Sequence, residues 1–141
     1  MALGSRLLPL QQSNGNLKVV SIPEKSTEQV FTSKSIAANS SADFIVSNEY
    51  PAVTVTVKAS YDAGATAGVR VRWLYSPDGS NFDSVQDAED AGNYEDLTFS
   101  AGATRQRTVL IPLIQKYTKV QIVNLDGSKS VTVDVWKTLM R

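Results

Sequence analysis

The chain contains neither cysteine nor histidine. Without cysteine there are no disulfides, thiolate nucleophiles or thiolate-bound zinc, and folding needs no oxidising compartment. Without histidine the usual general base near neutral pH is missing, so Ser-His-Asp, Cys-His and His-zinc chemistry are excluded by inspection. Excess charge of either sign is also lacking: 14 basic side chains cancel 14 acidic ones. No long-range field therefore draws the molecule toward phosphate backbones or anionic lipid, and neither nucleic acid nor a membrane is expected as a partner. No apolar run approaches the length of a membrane span. The first one, Leu7-Leu8-Pro9-Leu10, is too short and too interrupted by proline for the core of a secretory signal, which predicts a protein made and kept in the cytosol.

What is present is ordinary globular material, 42% apolar and 20% charged over 141 residues. That length suits one domain able to bury roughly two thirds of its unfolded surface. Apolar residues do not recur at helical spacing, whereas period-two alternation recurs from about Leu17 onward. The clearest strands are 52–60, with Val53, Val55 and Val57 on one face, and 68–76, with Val69, Val71, Trp73 and Tyr75 opposed to Arg70, Arg72 and Leu74. Residues 118–124 and 130–138 read the same way, with Asp126-Gly127 between them as a hairpin signal. Weaker candidates are 17–22, 28–32, 42–46, 97–100 and 105–111. About nine short strands predict an all-β fold, a two-sheet antiparallel β-sandwich of jelly-roll type, over residues 17–141.

Three regions fall outside the alternation. Residues 1–16 end in a polar stretch and are expected to be a flexible N-terminal arm, with Leu7, Leu8 and Leu10 forming an apolar hook suited to a partner surface. Residues 62–68 are small and suit a loop tip. Residues 78–96 hold Asp78, Asp83, Asp87, Glu89, Asp90, Glu95 and Asp96 and no base. Clustered carboxylates are what calcium needs, with Asp83, Asp87, Glu89 and Asp90 as the candidate ligands, but the spacing is not that of an EF-hand. A solvated, self-repelling loop is the expected form. A glycosidase carboxylate pair would have to face across a cleft, which proximity in one loop does not supply. No metal, cofactor or catalytic residue is therefore expected, and the chain is read as a non-enzyme.

Trp136 alternates away from Val131, Val133 and Val135, so it is expected on an outer face, where a flat ring suits a partner protein or a sugar. Arg70, Arg72, Arg105 and Arg107 would form a basic stripe if their strands paired, with nearby acids turning it into a rim of ion pairs. Ser76-Pro77-Asp78-Gly79 reads as a type I turn that folds Phe82 back over the preceding strand.

From Ser35 to Thr138 the pattern resembles the small β-sandwich virion proteins of tailed bacteriophages, the head-decoration and minor structural class. The resemblance lies in a Ser/Asn-rich lead-in to Ala42-Asp43-Phe44-Ile45-Val46, in Ala52-Val53-Thr54-Val55-Thr56-Val57, in Val69-Arg70-Val71-Arg72-Trp73-Leu74-Tyr75 followed by Ser-Pro-Asp-Gly and Phe82-Asp83, and in late Val-rich strands. It implies a structural protein of the virion, assembled in the host cytoplasm. Its implied partners are further copies of itself, a trimer being one arrangement, and a major capsid or tail protein. Leu7, Leu8, Leu10 and Trp136 are the candidate partner-binding residues. The alternative is a carbohydrate-binding module or adhesin-like domain, with Trp73, Trp136, Tyr50, Tyr61 and Tyr94 as stacking groups.

Overall fold

The computed structural model describes residues 25–47 and 50–140. The arm at residues 1–16, with Leu7, Leu8 and Leu10, and the strand candidate at 17–22 lie outside the described residues. Within them the alternating segments become eight strands: β1 (Lys25–Ile36), β2 (Ser41–Ser47), β3 (Ala52–Tyr61), β4 (Val69–Ser76), β5 (Tyr94–Asp96), β6 (Thr104–Pro112), β7 (Tyr117–Asn124) and β8 (Val131–Met140). A single turn-and-a-half helix, α1 (Val85–Asp90), joins β4 to β5.

The strands form two four-stranded sheets, ordered β1-β8-β3-β6 and β2-β7-β4-β5, with every pairing antiparallel. The first and last strands are neighbours, the second pairs with the seventh and the third with the sixth. That nesting is the strand order of a jelly roll, two Greek keys rolled into a sandwich. The expected all-β, two-sheet architecture is what the chain adopts.

The core is the product of the alternation. Val53, Val55 and Val57 of β3, Val69 and Val71 of β4, Val120 and Ile122 of β7, and Val133 and Val135 of β8 are all fully buried between the sheets. Branched side chains fit a pleated surface, and each buried valine contributes on the order of 1.5 kcal/mol or more. The gap between sheets is closed differently on its two sides. Phe31 of β1 meets Phe44 of β2 edge to face, ring centres 5.9 Å apart. On the other side Arg107 of β6 reaches across to Glu95 and to the backbone oxygen of Asp96 in β5.

Five expectations need correction. The strand placed at 97–100 is instead Tyr94–Asp96, because Arg70 and Arg72 of β4 pair with Asp96 and Tyr94. Leu97 then turns into the core, and Phe99 packs edge to face on Tyr61 with ring centres 5.0 Å apart. Asp126-Gly127 is not a hairpin, since β7 and β8 belong to different sheets and the segment crosses between them. Gly127 is not among the described glycines with positive φ, as a type I′ turn would require.

Leu74, expected beside Arg70 and Arg72 on a wet face, is only 5% exposed. It sits in a small apolar contact outside the main core, on the strand against which α1 packs, and Ala88 of α1 is buried too. The acidic segment 78–96 is accordingly no self-repelling loop. Ser84 caps α1 by accepting the Asp87 amide at 3.0 Å, and Asp83 holds the segment to β4 through the backbone of Tyr75, donating to its oxygen at 3.0 Å and accepting from its nitrogen at 3.3 Å. At Ser76-Pro77-Asp78-Gly79, where a type I turn was expected, the chain makes a bend held by side chains: Ser76 Oγ accepts the Gly79 amide at 2.9 Å and Asp78 Oδ1 accepts the amides of Ser80 and Asn81, both at 2.8 Å. The bend brings Phe82 over Lys119 of β7, the ammonium 4.3 Å from the ring centre.

Candidate interaction surface

Each sheet has an outer face, and the two are built from different chemistry. On the β2-β7-β4-β5 sheet, Arg70 and Arg72 project outward and share one carboxylate. Glu89 Oε2 of α1 lies 3.0 Å from Arg70 and 2.9 Å from Arg72. Arg72 also donates to Gln121 Oε1 at 2.8 Å, and Gln121 in turn donates to Asp43 at 3.2 Å. Arg70 grips Asp96 at 2.7 Å and lies 4.1 Å above the ring of Tyr94. The two guanidinium groups, Arg72 foremost, hold the Glu89 carboxyl below its ordinary range. This network runs across all four strands and carries α1 with it.

Those partners decide how the acids can act. Asp83 is engaged by Tyr75, Glu89 by two arginines and Asp90 by the Gln86 amide at 2.8 Å. They point to separate partners, and among the described residues no group of three or more acidic side chains is placed to hold a metal ion. Arg70, Arg72 and Arg107 are ion-pair partners of neighbouring acids, as expected, but the four arginines do not form one stripe: β4 and β6 lie in different sheets.

The outer face of the β1-β8-β3-β6 sheet carries few charges, Lys25, Lys58 and Asp134, among hydroxyl and apolar side chains. Its register sets Thr27, Thr138, Thr54 and Leu110 in one row across the four strands, and Gln29, Trp136, Thr56 and Thr108 in the next. Hydroxyls pair along these rows, Thr27 with Thr138 at 2.9 Å and Thr56 with Thr108 at 2.8 Å. A third row holds Asp134 beside Lys58, opposite charges that offset one another. Trp136 is half-buried near the middle of this face, on the side the alternation assigned to it. The one described element outside the sheets, α1, packs on the other sheet.

Of the remaining aromatic candidates, Trp73 and Tyr61 are core residues and cannot stack on a ligand. Burial pushes the Tyr61 hydroxyl above its ordinary range. Tyr94 is covered by Arg70, and Tyr50 packs half-buried against the core. Among the described residues, five large apolar residues stand exposed that sequence reasoning did not single out: Ile45 on β2, Val85 in α1 and Leu125 after β7, and, most exposed of all, Leu110 on β6 at 60% and Ile114 just beyond it at 70%. Val109, Leu110 and Ile111 are consecutive apolar residues, so no alternation marks the middle one. Only the pairing of Leu110 with Thr54 turns it outward.

At the far end of the sandwich Asp126 is 1% exposed and accepts four backbone amides, from Thr66, Ala67, Ser128 and Lys129, at 2.6 to 3.1 Å. These bonds hold its carboxyl well below the ordinary range and tie the β3–β4 and β7–β8 connections together. Among the described residues no helix is long and apolar enough to cross a membrane. No family model and no curated protein matches the chain.

Proposed function

We propose that the chain is a non-enzymatic structural protein of a virion, a capsid-decoration or minor head or tail protein that acts by assembling with copies of itself and with neighbouring virion subunits. The observation that carries this reading is the open edge of the sparsely charged face. Leu110 and Ile114 stand exposed on and just after β6, whose far side is paired to no described strand. A lone molecule gains nothing from displaying large apolar side chains beside an unpaired edge, and such sites mark contact surfaces. The jelly-roll order agrees, since capsid subunits use it, though lectin domains use it as well.

Light scattering tests self-assembly. The expected molar mass is a multiple of the 15.3 kDa chain, falling to the single-chain value in Leu110→Asp with the β spectrum unchanged. A wild-type protein at single-chain mass throughout the micromolar range would remove the self-assembly reading. Mass spectrometry of purified virus particles from a culture carrying the gene tests the virion itself, and absence of the chain's peptides would overturn it.

A sugar-binding module is the second reading, and Trp136 favours it: a half-buried indole amid threonine hydroxyls on a flat, sparsely charged face suits a pyranose ring. Saturable quenching of tryptophan fluorescence by a glycan, lost in Trp136→Ala, would support that reading over the first.

A further inference from the structure

We propose that the outer face of the β1-β8-β3-β6 sheet receives residues 1–24 of a neighbouring copy, so that copies are joined by exchanged N-terminal segments. This rests on the self-assembling reading above and names its contact.

Three observations support it. The first is the contrast between the two outer faces. The β2-β7-β4-β5 sheet is covered over β4 by a segment of its own chain, α1, whose Glu89 pairs with Arg70 and Arg72, while Ile45 on β2 stays 48% exposed. The opposite face, with Trp136 at its middle and Leu110 at its rim, has no such cover among the described residues. A sparsely charged, partly apolar face calls for an occupant of the same kind.

The second is the composition of the chain beyond β1. Residues 1–24 carry Leu3, Leu7, Leu8, Leu10, Leu17, Val19, Val20 and Ile22 against three charged side chains, Arg6, Lys18 and Glu24. That segment carries few charges, like the face, and offers it apolar side chains.

The third is where the segment joins. Lys25 lies opposite Met140 in the row at the end of the sheet, which continues through Ala52 to Pro112. Leu110 is in the adjacent row. The segment thus leaves from the rim of the face in question. The fifteen residue-to-residue steps from Leu10 to Lys25 can span about 50 Å when extended, against a face about 14 Å across its four strands. A neighbour's face is within easy reach.

The edge of β6 adds a backbone component. Leu113 donates to the Pro51 oxygen at 3.0 Å and Tyr61 to the Ala103 oxygen at 3.0 Å. Hydrogen-bonded pairs alternate along an antiparallel ladder, so β3 engages Arg105, Arg107, Val109 and Ile111, and the amides of Thr104, Gln106, Thr108 and Leu110 face outward. An extended segment lying along this rim meets both free amides and the Leu110 side chain.

Complementation between two full-length variants tests the exchange. One carries Leu7→Asp, Leu8→Asp and Leu10→Asp, and so has an intact face and a disabled segment. The other carries Trp136→Ala, with an intact segment and a disabled face; Leu110→Asp on the same face replaces it if its β spectrum is lost. Each variant alone is expected at single-chain mass by light scattering, and an equimolar mixture is expected to form a complex of twice that mass. A mixture that stays at single-chain mass overturns the exchange and points to a segment bound to its own sandwich. Wild-type assembly retained by the triple-Asp variant overturns it too, while leaving self-assembly through some other contact intact. A wild-type chain that never assembles removes both readings.

Discussion

The two outer faces of this sandwich start from the same backbone pattern and end in opposite states. On one, Arg70, Arg72 and Gln121 are locked in a relay that reaches from Asp43 to Asp96 and ties α1 to β4. On the other, threonines, Trp136 and Leu110 stand in rows with hydroxyl pairs and one neighbouring pair of opposite charges. A face whose charges are spent on the molecule's own chain is structural. A face with little charge and exposed apolar groups is free to meet something else, and the proposals above follow from that difference.

The largest expected effect breaks the comparison by making one substitution on each face. Leu74→Asp should lower the melting temperature by several degrees or more, because a carboxylate at this buried position loses its hydration and the leucine's apolar contacts, a cost that Lys119 on the neighbouring strand offsets only in part. Leu110→Asp should leave melting within about 2 °C of wild type when both are compared at a dilution where each is a single chain, since an exposed side chain contributes little to the fold of its own molecule. Equal losses in thermal melts of the two variants would erase the distinction between a structural and a free face.

Much of this fold was legible because the strands alternate cleanly. Val53, Val55 and Val57, and Val69, Val71 and Trp73, are buried as period two requires. What could not be read were events set by tertiary partners. Six residues of α1 are too few for a helical period, and the helix exists because Ser84 caps it and Glu89 finds two arginines. Leu74 sits at a wet position of its strand by alternation and is nonetheless buried, on the strand against which α1 packs. Asp126-Gly127 carries the dipeptide of a hairpin, yet the carboxylate serves as a four-amide tie between loops that are distant in sequence. Trp136 was legible as outward-facing; Leu110, in an unbroken apolar triplet, was not.

A smaller effect sharpens the comparison through acid. Glu89 and Asp126 are held below their ordinary values of 4.5 and 3.8. A carboxyl depressed in the folded state stabilises it fully above the ordinary range, and that contribution fades as the pH falls through the depressed value. Melting temperature should therefore be level from about pH 7 to 5 and decline below about pH 4. Arg72→Met should lower melting by several degrees at pH 7, and its deficit should narrow below about pH 4 as Glu89 protonates in the wild type. Lys58→Met, on the free face, should change neither the level nor the slope. A deficit for Arg72→Met that stays constant down to pH 3 would mean that the Glu89 pairing does not hold α1.

The smallest effect is expected from the hydroxyl rows. Thr56 and Thr108 share a hydrogen bond of 2.8 Å on the free face, Thr108 exposed and Thr56 half-buried. Replacing either with valine keeps the branched shape and leaves a hydroxyl that water can satisfy. Replacing both removes donor and acceptor together, which is close to neutral for an exchange of matching shape. The double variant should melt within about 2 °C of wild type, whereas Gln121→Leu on the covered face, which strips a partner from both Arg72 and Asp43, should lose more. If the free face is a docking surface, the added methyl groups leave the fold unchanged and strengthen association by enlarging its apolar area. A drop of more than about 5 °C in the double-valine protein would show that these hydroxyls hold the sandwich together, and the face would then be structural like its counterpart.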